Sequence, residues 1–158
     1  MGMRENGKIQ MARILKLGFI SLIVIFIVLF LISLIIPSTV IVSRAINIEA
    51  DKKKIYTLVA DTSNWIKWNE LKNDRIHVEM LPSDSNLIHT GWTYGGNTID
   101  GYFKLEKIAD VTVVQWYFEY HLKWYPWEKF GSITFEKQFG PPMESSLINL
   151  KNLVTNSP

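Results

Sequence analysis

Cysteine is absent from the 158 residues. That excludes a disulfide framework, a thiolate zinc site, an iron–sulfur cluster and a cysteine nucleophile together. Histidine is scarce. His77, His89 and His121 stand apart, none with a second histidine two or four residues away. His77 and His121 fall on the polar faces of strands, where a solvated imidazole is the ordinary state. Signature motifs are missing as well: there is no Gly-x-Ser-x-Gly, phosphate-binding loop, Gly-x-Gly-x-x-Gly or His-Glu-x-x-His. Asp100 and Glu119 are isolated carboxylates, and Tyr120 and His121 point to opposite faces as strand neighbours. No catalytic residue, metal ligand or cofactor is assigned, and catalysis finds little support.

A strong net charge is lacking too. The chain carries 17 Lys+Arg and 15 Asp+Glu, and without residues 1–36 the balance is 13 against 14. A near-neutral remainder argues against nucleic acid, which calls for a concentrated basic face. The basic run Lys52-Lys53-Lys54 lies beside Glu49 and Asp51 and reads as a solvated helix face, with lipid headgroup contact as the other option.

What the chain does have is a long apolar run. Leu17–Ile36 contains 17 apolar residues in 20 and no charge. Twenty helical residues span roughly 30 Å, the hydrocarbon thickness of a bilayer. A helix apolar all round would need partners on every side to be a core helix. A signal peptide has a shorter apolar region and a small-residue cleavage site, whereas this run ends Leu34-Ile35-Ile36-Pro37-Ser38. The expectation is an uncleaved transmembrane anchor at 17–36. Arg13 and Lys16 sit at its N-terminal edge, and the first cation beyond it is Arg44. That proximity places the tail, residues 1–16, in the cytoplasm and the domain, residues 38–158, outside the cell membrane.

Within the domain, Val40, Val42, Ile46 and Ile48 alternate along one strand, interrupted by Arg44. Asp51 suits the N-cap of a helix over 52–60, and Ser63 starts a turn carrying Trp65 and Trp68. Strands follow at 75–81, 87–94, 99–108 and 111–124, with Gly95-Gly96-Asn97 as a hairpin connection. The last is the clearest: Val114, Trp116, Phe118, Tyr120, Leu122 and Trp124 share one face. Residues 127–139 are ambiguous. From Gly140-Pro141-Pro142, the spacing of Met143, Leu147, Leu150 and Val154 predicts an amphipathic helix to the C-terminus. The order predicts an α+β domain, a curved antiparallel sheet whose apolar face is covered by one long C-terminal helix.

Val42-Ser43-Arg44-Ala45-Ile46-Asn47-Ile48-Glu49-Ala50, Ile55-Tyr56, and Trp65 with Trp68 resemble the opening of the START-like (SRPBCC) superfamily, which includes the polyketide cyclase/dehydrase and lipid-transport group. Val114-Gln115-Trp116, Pro126-Trp127-Glu128-Lys129-Phe130 and Gly140-Pro141-Pro142-Met143-Glu144 are similar to its closing segment. The resemblance covers about 38–153, in the layout of membrane-tethered bacterial members. It implies a helix-grip fold enclosing a cavity for apolar ligands. The five strands are fewer than such domains usually carry, which implies a smaller or partly filled cavity.

Two function classes follow. In the first, a membrane-anchored module binds a lipid-like or other small apolar molecule between sheet and C-terminal helix, with Trp92, Phe103, Trp116, Phe118 and Tyr120 lining the pocket and indole N–H and phenol O–H groups orienting the ligand. The plainer reading of Trp116, Phe118 and Tyr120 is packing under the helix, since a tryptophan burying roughly 150–250 Å² contributes a gross ~4–6 kcal/mol. In the second class the fold serves as an interaction or structural domain without a pocket, presenting an apolar patch around Trp124, Tyr125, Pro126 and Trp127. A cyclase/dehydrase-type enzyme is a third, weaker reading, and would need a titratable group inside the cavity. Trp65 and Trp68 read as a structural plug at one sheet end.

Overall fold

Period-two alternation across the second half of the chain builds a sheet, and the 3.6-period of the last segment builds its cover. The computed structural model describes residues 2–94 and 97–156, with the side chains of 2–9, Tyr94 and Asn97 outside the description. The expected Gly95-Gly96 connection therefore lies outside the described residues. Helix α1 (Gly2–Ser33) is followed by β1 (Thr39–Ile48), α2 (Lys52–Ala60), a 3-10 turn (Thr62–Lys67) and β2 (His77–Met80). Then come β3 (Leu87–Tyr94), β4 (Asn97–Ile108), β5 (Val111–His121), α3 (Pro126–Ser132) and α4 (Phe135–Asn156).

The chain divides into two compact units. One holds the residues up to Ser38 together with Leu122–Gly131; the other holds Thr39–His121 and the chain from Ser132 onward. In the first unit, Gln10–Ser33 forms a helical stretch of mean hydropathy 3.0, long and apolar enough to cross a membrane, with its apolar side chains exposed except for the half-buried Phe30. Phe30 meets Trp124 edge-on at 6.3 Å, and Leu122 N donates to the Ser38 carbonyl at 2.7 Å. Beyond that bond Pro37 has no N–H to continue a ladder. Lys123 N turns instead to Glu128 Oε2 at 2.7 Å, so β5 ends three residues short of the expected 124.

The second unit is an antiparallel sheet in the order β1-β5-β4-β3-β2, a curved five-strand sheet of helix-grip type. Strands β2 to β5 form the expected meander, and β1 closes on β5 with Val42 opposite Phe118 and Arg44 opposite Trp116. One face is the core: Val42, Ile48, Ile88, Phe103, Leu105, Val114 and Trp116 are buried. Helix α4 covers it with Met143, Leu147, Leu150 and Val154, all within 1% of complete burial. Asp51 caps α2 by accepting from Lys53 N. Ile55 and Val59 anchor that helix.

Arg44, which breaks the apolar pattern of β1, points at α4. Its guanidinium donates to Glu136 Oε1 at 2.6 Å and lies 3.9 Å from Glu144. Those carboxylates sit eight residues apart with Gly140 between them, one above the other on a single helix face. A Cβ at Gly140 would run into that guanidinium. Helix α4 begins at Phe135, five residues before the expected start, and carries Pro141 and Pro142 inside it. The two prolines leave the carbonyls of Lys137 and Gln138 without intrahelical donors. Contacts of Phe135, Glu136 and Phe139 with the sheet hold that extra turn and a half in place.

Gly101 in β4 marks the closest approach in the core. A Cβ there would lie 2.6 Å from Trp92 Nε1, 2.8 Å from Thr90 Oγ1 and 3.0 Å from Phe118 Cε1. None of these can swing away, because the indole and the hydroxyl are hydrogen-bonded to each other at 2.9 Å. Gly101→Ala is therefore expected to destabilise the fold by ~1–3 kcal/mol through overpacking, read as a lowered thermal midpoint by near-ultraviolet circular dichroism. An unchanged midpoint would mean the core is looser than these distances imply.

Candidate functional site

The inner face of the sheet has two halves, one filled and one open. In the filled half, Phe103 of β4 stacks on Trp116 of β5 with centroids 4.9 Å apart and planes 18° from parallel. Trp65, from the 3-10 turn, meets Phe103 at 5.6 Å. Trp68 reaches Trp116 at 6.4 Å. All four rings are at most 1% exposed. The turn that delivers Trp65 and Trp68 is fixed by Asp61, which accepts from Ser63 N and Oγ. Those two bonds also hold its carboxyl below the usual value. Trp65 Nε1 donates to the Val59 carbonyl at 2.8 Å, tying the plug to α2.

One strand position toward the other end, the plug stops and a cavity of about 550 Å³ opens. Its walls are Trp92 of β3, Ile99 of β4, Phe118 and Tyr120 of β5, and Phe139 of α4. Its rim is the segment from Leu71 to Ile76, including Asn73, Asp74 and Arg75. Trp92 meets Phe118 edge-on at 5.1 Å. Phe139 approaches Phe118 at 6.1 Å and Tyr120 at 5.5 Å, while Phe135 backs Tyr120 at 4.5 Å. Wall chemistry is aromatic and aliphatic, and the polar and charged residues Asn73, Asp74 and Arg75 stand at the rim.

The Tyr120 hydroxyl is enclosed by protein. The residue is 7% exposed, and its Oη has no hydrogen-bond partner among the described residues. Burial raises its pKa well above the usual phenol value, so it is a neutral O–H across the physiological range. The Trp92 indole N–H, in contrast, is already committed to Thr90 Oγ1, whose own hydroxyl donates to the Gly101 carbonyl at 2.8 Å. Trp92 is thereby held rigid and offers the cavity only its ring.

Of the five aromatic positions singled out in the sequence, Trp92, Phe118 and Tyr120 line the cavity. Phe103 and Trp116 belong to the packed stack behind it. Ile99, Phe139 and the 71–76 rim complete the lining. Ile99 shares the inner face with Gly101 and Phe103, so its pattern was visible; Phe139 was hidden by the expected helix start at Gly140. The rim segment has no periodic signal.

Outside the cavity, on the opposite face of the sheet, Asp100 pairs with His89 Nε2 at 2.9 Å. His89 stacks on Tyr102 at 4.4 Å, and Tyr102 on Tyr117 at 4.9 Å. Desolvation, with Asp100 and Glu119 nearby, raises the Tyr102 hydroxyl. Among the described residues no group of three or more His, Asp or Glu side chains converges to hold a metal ion.

No family model and no curated protein matches the sequence. Solved structures do match the fold. Norcoclaurine synthase from Thalictrum flavum, in complex with dopamine and hydroxybenzaldehyde, superposes with a TM-score of 0.58 at 13% identity, covering 80% of this chain and 92% of that one. CalU16 from Micromonospora echinospora gives 0.53 at 12% identity, covering 76% of this chain and 84% of its own. The di-domain ARO/CYC protein BexL from the BE-7585A biosynthetic pathway gives 0.54 at 11%, covering 77% of this chain and 52% of that one. At such identities the likeness is one of fold: an antiparallel sheet gripping a long C-terminal helix, as the START-like resemblance implies.

Removing the unpartnered hydroxyl should cost the folded protein nothing. Tyr120→Phe is expected to be as stable as the parent or slightly more so, since a buried unsatisfied hydroxyl costs ~1–3 kcal/mol. In the parent, an unfolded tyrosine ionises near 10.0 while folded Tyr120 keeps its proton. The unfolded state then binds fewer protons, and stability falls as pH rises past that value. Denaturant titrations at successive alkaline pH values should show a smaller decline for Tyr120→Phe. Equal declines would show that Tyr120 ionises normally.

Proposed function

We propose that this chain is a membrane-tethered helix-grip domain that takes a lipid-like or other small apolar molecule into the cavity between sheet and α4. The observation that carries the reading is the cavity: about 550 Å³ of space, bounded by Trp92, Ile99, Phe118, Tyr120 and Phe139. That volume lies within the roughly 300–1,000 Å³ of small-molecule sites, and mostly apolar walls with few polar groups are their usual chemistry. Trp92, Phe118 and Tyr120 contact the ligand in this reading. Phe103 and Trp116 act one layer behind, as the rigid floor that keeps the cavity from collapsing. The tether rests on the apolar stretch Gln10–Ser33 with its exposed side chains. The clustering of Arg13 and Lys16 at its start favours a cytoplasmic N-terminus and an extracytoplasmic domain.

The ligand is a molecule with a long or flat apolar body, matched to aromatic and aliphatic walls. A carboxylate would lose its water shell at this depth, so an uncharged molecule suits these walls better than an anion.

Methyl nuclear magnetic resonance of the full chain in nanodiscs tests the reading. With isoleucine methyls labelled, added short-chain phosphatidylcholine or a fatty acid methyl ester should shift Ile76 and Ile99 saturably. Ile55, buried in the core, and Ile148, exposed on α4, should stay in place. Uniform or absent shifts would contradict a ligand in this cavity.

A further inference from the structure

Leu122–Gly131 does not group with the sheet it leaves; it forms one compact unit with α1. Three contacts hold it at the C-terminal end of that helix. Leu122 N donates to the Ser38 carbonyl, Trp124 packs edge-on against Phe30, and Lys129 Nζ donates to the Ile36 carbonyl at 2.9 Å. Lys129 is only 5% exposed. Its buried ammonium is thereby given a backbone acceptor just beyond the end of α1.

The same segment places three amphipathic rings side by side. Trp124 and Tyr125 lie 4.8 Å apart, and Tyr125 stacks on Trp127 at 4.9 Å with planes 6° from parallel. Trp124 and Trp127 are 63% and 64% exposed, while the other tryptophans, Trp65, Trp68, Trp92 and Trp116, are at most 4% exposed. Large exposed indoles are costly on a surface that meets only water. Phe30, against which Trp124 rests, lies about one helical turn inside the end of α1. If α1 spans the bilayer, that depth is the headgroup boundary, where Trp and Tyr rings find an apolar body and a wet edge satisfied together.

We infer that Trp124, Tyr125 and Trp127 form a second membrane attachment, inserting into the interfacial layer of the leaflet from which α1 emerges. The inference rests on the membrane-spanning reading of α1 and adds to it. The chain between β5 and α4 becomes a lipid-facing clamp within the same compact unit as α1. A protein partner on the same rings is the competing occupant. Their continuity with α1 favours lipid, because any partner would have to sit at the membrane surface within a helical turn of the anchor.

The test reconstitutes the full chain in phosphatidylcholine vesicles whose acyl chains carry bromine near the headgroup end. Bromine quenches an indole only on close contact. Parent protein should lose emission in these vesicles relative to unbrominated ones. The double variant Trp124→Phe, Trp127→Phe should lose only what the four buried tryptophans lose; phenylalanine keeps the segment apolar, and circular dichroism checks the fold. Alkaline carbonate extraction is run alongside. A chain that stays in the membrane yet shows equal quenching in parent and variant would overturn this clamp alone, and leave the rings to a protein partner. A chain released by carbonate would overturn the anchor and the clamp together.

Discussion

The stack of Phe103 on Trp116, wedged by Trp65 and Trp68, is the contact on which the rest of the domain turns. A sheet this curved has more inner face than one 22-residue helix can cover, so something else must fill one end. The four rings do so, and two of them, Trp65 and Trp68, are delivered by a turn whose own geometry is secured by Asp61 and by the Trp65–Val59 hydrogen bond. Because the plug is rigid, the remaining space next to it stays open. Trp92 stands at the boundary, stacked toward Trp116 at 5.8 Å on one side and edge-on to Phe118 on the other. Gly101, lacking a Cβ, makes room for its indole. The filled half thus produces the cavity in the open half.

Helix α4 meets the sheet by two different means. Over the plug, Met143, Leu147, Leu150 and Val154 bury apolar surface, and this burial supplies the stability. Toward its N-terminus the helix carries two prolines and rests on Phe135 and Phe139 against Tyr120 and Phe118, and on the clasp of Arg44 with Glu136. An ion pair so exposed contributes only ~0–1 kcal/mol, so its effect is on alignment: it sets which helix face lies over β1. The part of α4 that walls the cavity is therefore the part held by ring contacts and an exposed ion pair rather than by deep apolar burial.

Much of this architecture was legible in the sequence, since period two and period 3.6 report which way a side chain faces. Alternation in Val111–His121, the Asp51 cap and the spacing of Met143 to Val154 gave elements, faces and order. What periodicity does not report is what lies across the gap. Trp116 and Phe118 occupy the same face two residues apart, yet one is locked against Trp68 and the other borders a void, because the plug arrives from a segment distant in the chain. The start of α4 was missed for a related reason. Pro141 and Pro142 suggest a first turn by local rules, and tertiary contacts of Phe135, Glu136 and Phe139 carry the helix back past them. Arg44 looked like an interruption in its strand, and its partners lie some ninety residues away.

In the proposed function, the open half of the inner face holds a small apolar molecule. Native mass spectrometry of the full chain, released from nanodiscs beside its Ile99→Trp variant, addresses it most directly, because the indole would occupy the cavity without touching the plug. The parent is expected to carry one adduct on the order of a few hundred daltons, and the variant to appear at its bare mass. Bare masses for both proteins, or the same adduct on both, would contradict the claim.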